Sequence, residues 1–186
     1  MPRQGLVRER VVCTAAALAD AEGIGAVTLA RVAGELGVRS PSLYNHVDGL
    51  EGLRRGMALQ ALRELGAALR EAATGRAGEE ALVAIAEAYR DYARAHPGRY
   101  PLTQYFPQPQ DPEVDAAAGA IVQIVVDGLR GFGLADEDAI HAVRGFRSAI
   151  HGFVSLETGG GFGMPVDIDE SFHRLVSTLA AGLGRT

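Results

Sequence analysis

The stretch from Thr28 to His46 constrains the fold of this chain most. Its first half places four apolar residues at the spacing i, i+3, i+4 and i+7, on one face of a helix: Leu29, Val32, Ala33 and Leu36. Thr28 is a suitable N-cap, and Gly37 ends the helix because glycine enters the left-handed region without a Cβ penalty. Ser40 and Pro41 then favour the N-cap and first position of a second helix. The pattern predicts two short helices joined by a glycine turn.

The second predicted helix is mostly polar, because only Leu43 and Val47 are available for its inner face. Its other side chains are groups that hydrogen-bond to phosphates and base edges: Arg39, Ser42, Tyr44, Asn45 and His46. A polar helix held by a preceding helix across a fixed turn is typical of the helix-turn-helix motif, whose second helix enters the DNA major groove. The same pattern also fits an ordinary helical hairpin inside a bundle.

Residues 28–47, TLARVAGELGVRSPSLYNHV, resemble the N-terminal DNA-binding domain of the TetR (tetracycline-repressor-like) family of transcriptional regulators. The run 43–47 is the most specific part, and the resemblance extends from Val7 to Leu53. One position departs, since Leu50 stands where the family commonly carries a lysine that contacts a phosphate. Residue types and resemblance together assign the DNA contacts to Thr28, Arg39, Ser40, Ser42, Tyr44, Asn45 and His46.

Apolar periodicity predicts helices in the rest of the chain, and no segment shows strand-like alternation. Besides the hairpin, the predicted helices cover about 6–22, 48–73, 79–96, 100–106, 114–132, 136–157 and 169–183. We therefore expect an all-α fold of about nine helices, three in an N-terminal head and six in a body. The expected domains are residues 1–50 for DNA binding and residues 51–186 for effector binding and dimerisation.

A second resemblance concerns the C-terminal part. His151-Gly152 matches a C-terminal domain type of the same family that is named for a Trp and His-Gly signature, although Arg147 stands where the tryptophan is usual. In such regulators a cavity between the body helices binds a small effector. The resemblance implies that aromatic and histidine residues line it, and those selected are Tyr89, Tyr92, Phe106 and His151.

Gly152 allows another interpretation of this helix. A glycine inside a helix costs about 1 kcal/mol relative to alanine, so it is best explained by close approach of another helix. The resemblance implies dimerisation through the last two helices, which pair with those of a second copy. His151 then faces either this interface or the effector cavity.

Composition limits the other classes of function. The net charge is −5, but residues 1–60 contain seven arginines against six acids, so the acidic excess lies in the rest of the chain. The single cysteine, Cys13, excludes an internal disulfide and is expected to be a small buried residue. The five histidines lack zinc-ligand spacing and no catalytic motif is present, so we expect no metal, cofactor or enzyme activity. With no hydrophobic signal segment or membrane-length apolar run, a cytoplasmic location is expected.

These observations predict a transcriptional regulator, a repressor, that binds a palindromic DNA operator as a homodimer and is released by an unknown small-molecule effector. One alternative is a helical small-molecule carrier whose head no longer binds DNA, which Leu50 and the negative net charge favour. The other is an enzyme with an unrecognised helical active site.

Overall fold

A computed structural model of the chain describes residues 6–105, 107 and 110–184. These residues form seven α-helices: α1 (Arg8–Glu22), α2 (Leu29–Leu36), α3 (Gly49–Ala73), α4 (Gly78–Ala95), α5 (Pro112–Leu129), α6 (Asp136–Thr158) and α7 (Ile168–Leu183). Short 3-10 helices cover Ile24–Ala26, Ser40–Asn45, Tyr100–Gln104 and Arg130–Phe132. No strand occurs in the described ranges. The predicted all-α fold is confirmed, and the nine predicted helices correspond to the seven α-helices and the 3-10 helices at Ser40–Asn45 and Tyr100–Gln104.

The chain divides into two compact units. One contains Met1–Glu64 and His96–Ala117, and the other contains Leu65–Ala95 and Ala118–Thr186. We call them the head unit and the body unit. Helices α3 and α5 each begin in the head unit and end in the body unit. The expected domains, residues 1–50 and 51–186, are defined by function, whereas these two units are defined by compactness. The functional domains therefore stay predictions.

The head unit has its own hydrophobic core. Apolar residues from α1, α2, the Ser40–Asn45 helix and the first turns of α3 pack together, and Leu102 joins them from a distant part of the chain. Val32, Leu43 and Leu53 are 0% exposed. Burial of one such side chain stabilises the fold by roughly 1.5–3 kcal/mol, so the hairpin is firmly held.

The expectation for Cys13 was wrong, because its side chain is exposed. Val12, the preceding residue, is buried in the head core. Successive helical residues are rotated by about 100° around the axis. Cys13 therefore lies outside the buried face of α1.

The turn after α4 is bonded directly to the end of α1. The Asp20 carboxylate accepts hydrogen bonds from the backbone N–H groups of Gly98 at 3.2 Å and Arg99 at 2.9 Å, and it faces His96 Nδ1 at 3.1 Å. A Cβ at Gly98 would lie 1.7 Å from the Ala19 carbonyl oxygen. Only glycine therefore permits this backbone contact, which explains why the segment 96–117 belongs to the head unit.

Helices α4, α6 and α7 pack on one another in the body unit. A buried cation joins them: Arg90 on α4 binds Glu157 on α6 through two hydrogen bonds, at 2.8 and 2.5 Å, and Asp169 on α7 at 2.7 Å. The Arg90 guanidinium also lies 4.8 Å from the centre of the Phe172 ring. A buried arginine needs such compensation, and here it fixes the three helices to one another.

No single helix in the described part of the chain is long and apolar enough to cross a membrane. The segments Pro112–Phe132 and Asp136–Thr158 meet the length and composition criteria only as a pair, with a bend of 113° between them.

Candidate nucleic-acid interface

The predicted hairpin is present in the head unit, and its turn has the expected geometry. Thr28 caps α2, because its side-chain oxygen accepts a hydrogen bond from the Arg31 N–H at 3.1 Å. Gly37 ends α2 in the left-handed region at φ 65°. The Val38 N–H donates to the Ala33 carbonyl at 3.0 Å, which satisfies one of the last helical acceptors.

The second element of the hairpin is a six-residue 3-10 helix, Ser40–Asn45. The prediction of Ser40 as its N-cap was wrong. Arg39 takes that position with φ −84° and ψ 143°, and its carbonyl accepts the Ser42 N–H at 2.9 Å. A helix of this length has few i→i+4 bonds to gain, so the tighter i→i+3 pattern is accessible to it. Ser40 begins the helix, and both serine side chains remain half-buried.

The seven residues predicted to contact DNA lie at the start of α2 and along residues 39–46. Leu43 and Val47 are buried in the head core and anchor the segment. Tyr44 is 61% exposed, although the preceding Leu43 is 0% exposed. Thr28, Arg39 and Asn45 are exposed, and His46 is half-buried. The arrangement therefore presents hydrogen-bonding side chains on a short element whose inner face is fixed.

Several arginines of the head unit form ion pairs with carboxylates of the same chain. Their charges are therefore less available to a nucleic acid. Arg31 binds Glu22 at 2.8 Å and Glu35 at 2.7 Å, and both contacts raise its pKa. Arg55 binds Asp111 and Glu113, and these contacts also raise its pKa. Arg39 forms no ion pair with any described carboxylate, so its charge is available to a nucleic acid.

The residues predicted to bind an effector lie mostly in the body unit. Tyr89 and Tyr92 are 8% and 7% exposed on α4, and His151 is half-buried on α6, a helix that packs against α4. Burial and the neighbouring Arg147 charge lower the pKa of His151, which favours the neutral imidazole. Phe106 lies outside the described residues. The assignment of all four to an effector cavity stays a prediction.

Two grooves of the body unit involve other residues. One, of about 630 Å³, lies between α6 and α7. Most of its lining is apolar or small, including Phe132, Phe146 and Gly145, and its polar residues are Asp138, His141 and Thr178. The other, of about 610 Å³, lies in the loop before α7 and includes Phe162 and Met164. No group of His, Cys, Asp and Glu side chains in the described ranges has the arrangement of a metal site.

Sequence reasoning missed Arg90 and Asp20. A signal for Arg90 exists, since it falls between Ala86 and Ala93 on the buried face of α4. A cation on an apolar helical face indicates a buried ion pair. Asp20 offers no local signal, because its partners lie 76 to 79 residues away.

Comparison with protein families matches residues 82–179 to the model described as the tetracyclin repressor-like C-terminal domain. An uncharacterised HTH-type transcriptional regulator of Mycobacterium tuberculosis is 40% identical over 181 residues, which cover 97% of this chain and 83% of the relative. An uncharacterised HTH-type transcriptional regulator of Bacillus subtilis is 37% identical over 98% of this chain and 95% of the relative.

The fold is also similar to that of a solved structure. A possible TetR family transcriptional regulator from Streptomyces coelicolor A3(2) aligns with a TM-score of 0.74 and 22% identity, over 95% of this chain and 98% of that one. At this identity the likeness concerns the fold alone. The two closer sequence relatives span both the hairpin and the C-terminal helices.

Proposed function

Because the chain belongs to the tetracycline-repressor-like (TetR) family of transcriptional regulators, we propose that it is a dimeric repressor that binds a palindromic operator and is released by a small-molecule effector. The observation that carries the proposal is the Ser40–Asn45 helix, on which Leu43 is 0% exposed and the next residue, Tyr44, is 61% exposed. An element anchored by one residue and exposed at the next suits insertion into a groove.

The side chains of the hairpin have different roles in this proposal. Arg39 binds a guanine or a phosphate, and Ser42 and Asn45 bind base edges or phosphates. Tyr44 and His46 bind backbone oxygens. The remaining two residues, Thr28 and Ser40, contribute hydroxyl groups toward phosphates at the starts of their helices. The Thr28 oxygen already accepts a backbone hydrogen bond, which leaves its hydroxyl hydrogen free to donate.

The dimer forms through α6 and α7 in our proposal. Gly145 lines the groove between these helices, and a Cβ at Gly145 or Gly152 would meet no atom of the chain within 4 Å. Packing within one chain therefore does not explain these glycines. Close approach of a second copy does, because small residues allow two helix backbones to come near each other.

Effector binding shifts the equilibrium toward a body conformation with lower operator affinity. The coupling between two such sites is typically about 1–3 kcal/mol, or 5–150-fold in affinity. Tyr89, Tyr92, Phe106 and His151 are the residues we assign to effector binding. Helix α3 is the lever, because its 25 residues continue without a break from the head unit into the body unit.

Selection of bound duplexes from a random pool tests the proposal. We expect a twofold-symmetric consensus whose half-sites are about 34–36 Å, or one helical turn, apart or a multiple of that distance. Insertion of about half a turn between the half-sites rotates one of them to the other side of the duplex, so binding should fall sharply. A consensus without symmetry, or binding that tolerates the insertion, contradicts the dimeric operator complex.

A further inference from the structure

Some arginines of the head unit form ion pairs with carboxylates of the chain, and others do not. Arg54 belongs to the second group. Arg63 binds Glu113 at 2.6 Å and Arg99 binds Glu64 at 2.9 Å, in addition to the ion pairs of Arg31 and Arg55. Arg54 is exposed, and no carboxylate in the described part of the chain forms an ion pair with it. Its charge is therefore not neutralised within the head unit.

Arg54 and Arg55 have the same chemistry but opposite surroundings. Arg55 turns toward the start of α5 and binds Asp111 and Glu113, the latter at 2.9 Å. The preceding residue, Leu53, is 0% exposed in the head core and fixes the helix backbone at this point. Arg54 thus extends into solvent from a rigid position.

Arg54 is also the first cation of α3. The helix begins at Gly49, four residues after the end of the Ser40–Asn45 helix, and residues 49–53 contain no lysine or arginine. Leu50 packs against the head core instead. At a rise of about 1.5 Å per residue, the Arg54 backbone lies about 7.5 Å along the axis from Gly49. The long arginine side chain can therefore reach back to the first turn of α3.

From this position we infer that Arg54 contacts an operator phosphate beside the Ser40–Asn45 helix. The inference rests on the proposed DNA binding. A recognition element in a major groove about 12 Å wide has phosphate backbones on both sides, so an uncompensated cation next to it meets one of them. The planar guanidinium matches phosphate oxygens with two parallel hydrogen bonds. Such a contact adds affinity without reading the base sequence.

The test is fluorescence anisotropy on the selected operator and on a scrambled duplex, over a series of salt concentrations. For Arg54→Ala we expect the slope of log affinity against log salt to become less steep by about 1.8, which is about 0.9 for each of the two copies of Arg54 in the dimer. Affinity at the lowest salt should fall about tenfold on both duplexes. Arg54→Lys keeps the charge and should keep the wild-type slope.

Arg70→Ala is the matched control, because Arg70 is an exposed arginine near the other end of α3. It should bind as the wild type does. If Arg54→Ala has the wild-type slope and affinity, Arg54 makes no phosphate contact, although the proposed function stands. If the wild-type protein itself shows no salt-sensitive DNA binding, both the proposed function and this inference are wrong. Thermal melting of each variant verifies that it is folded.

Discussion

The head unit contains two kinds of charged or polar side chain: those that are fixed by several contacts within the chain and those that are exposed to solvent. Asp111 is an example of the first kind: it accepts hydrogen bonds from Arg55 and from the backbone N–H groups of Glu113 at 3.0 Å and Val114 at 3.3 Å. The Arg55 guanidinium, with these backbone donors, lowers the pKa of Asp111 to about 2. One carboxylate therefore both caps α5 and ties it to α3.

This pKa shift makes a pH dependence of stability testable. A carboxyl whose pKa is lower in the folded state than in the unfolded state stabilises the fold when ionised. The contribution is complete above the unfolded value of 3.8 and is lost as the pH falls toward about 2. We expect the stability difference between the wild type and Asp111→Asn to shrink between pH 4 and pH 2, as followed by chemical unfolding.

Arg55→Gln provides a second variant for the same effect. It removes the cation that lowers the pKa, so its stability should also approach that of the wild type as the pH falls. Parallel stability profiles for the wild type and both variants contradict the role of this ion pair.

At the scale of single elements, α6 combines an inner face that packs in its own chain with an outer face that does not. Val143, Phe146 and Ile150 are buried in the body unit. Ile140 and Leu156 on the same helix are 40% and 53% exposed. The exposed apolar residues, together with Gly145 and Gly152, give α6 the composition of a protein interface.

Replacement of Gly145 by glutamine tests the proposed dimer through this face. The Cβ meets open space within the chain, so the fold of each copy should persist, whereas the added side chain obstructs the second copy. We expect the dimer dissociation constant to rise by about tenfold or more, since overpacking typically costs about 1–3 kcal/mol. Sedimentation equilibrium measures this change.

Gly119→Gln is the matched control, because Gly119 on α5 is also open to solvent but does not line the groove between α6 and α7. It should dimerise as the wild type does. Equal dissociation constants for Gly145→Gln and the wild type contradict an interface at this face of α6.

At the scale of the whole molecule, the sequence predicted the helices well and their long-range contacts poorly. Periodicity located every α-helix, and Thr28 and Gly37 were correctly predicted as the start and stop of α2 because caps depend on local chemistry. The 3-10 geometry of residues 40–45 was missed, since a helix of this length carries too few residues to establish a period. The predicted membership of the TetR family is confirmed by relatives that cover nearly the whole chain.

The contacts that define the two units were not predictable from local patterns. Gly98 lies on the Ala19 carbonyl and Leu102 enters the head core, although both follow α4 in the chain. These contacts depend on how distant segments meet, which single-sequence periodicity does not contain. The functional assignments of the hairpin and body residues remain predictions for a different reason. They concern binding partners, DNA and an effector, that are not part of the chain.

The measurement that tests the central claim most directly is fluorescence anisotropy of the purified protein on its selected operator at two salt concentrations, with Tyr44→Ala alongside. We expect tight wild-type binding that weakens with a log–log slope of about −0.9 per neutralised phosphate, and weaker binding by Tyr44→Ala, because the exposed Tyr44 side chain is assigned a contact to the DNA backbone. Wild-type binding that is absent or insensitive to salt contradicts an operator-binding regulator and favours a small-molecule carrier whose head no longer binds DNA. Tight, salt-sensitive binding that is equal in the two proteins contradicts only the contact assigned to Tyr44.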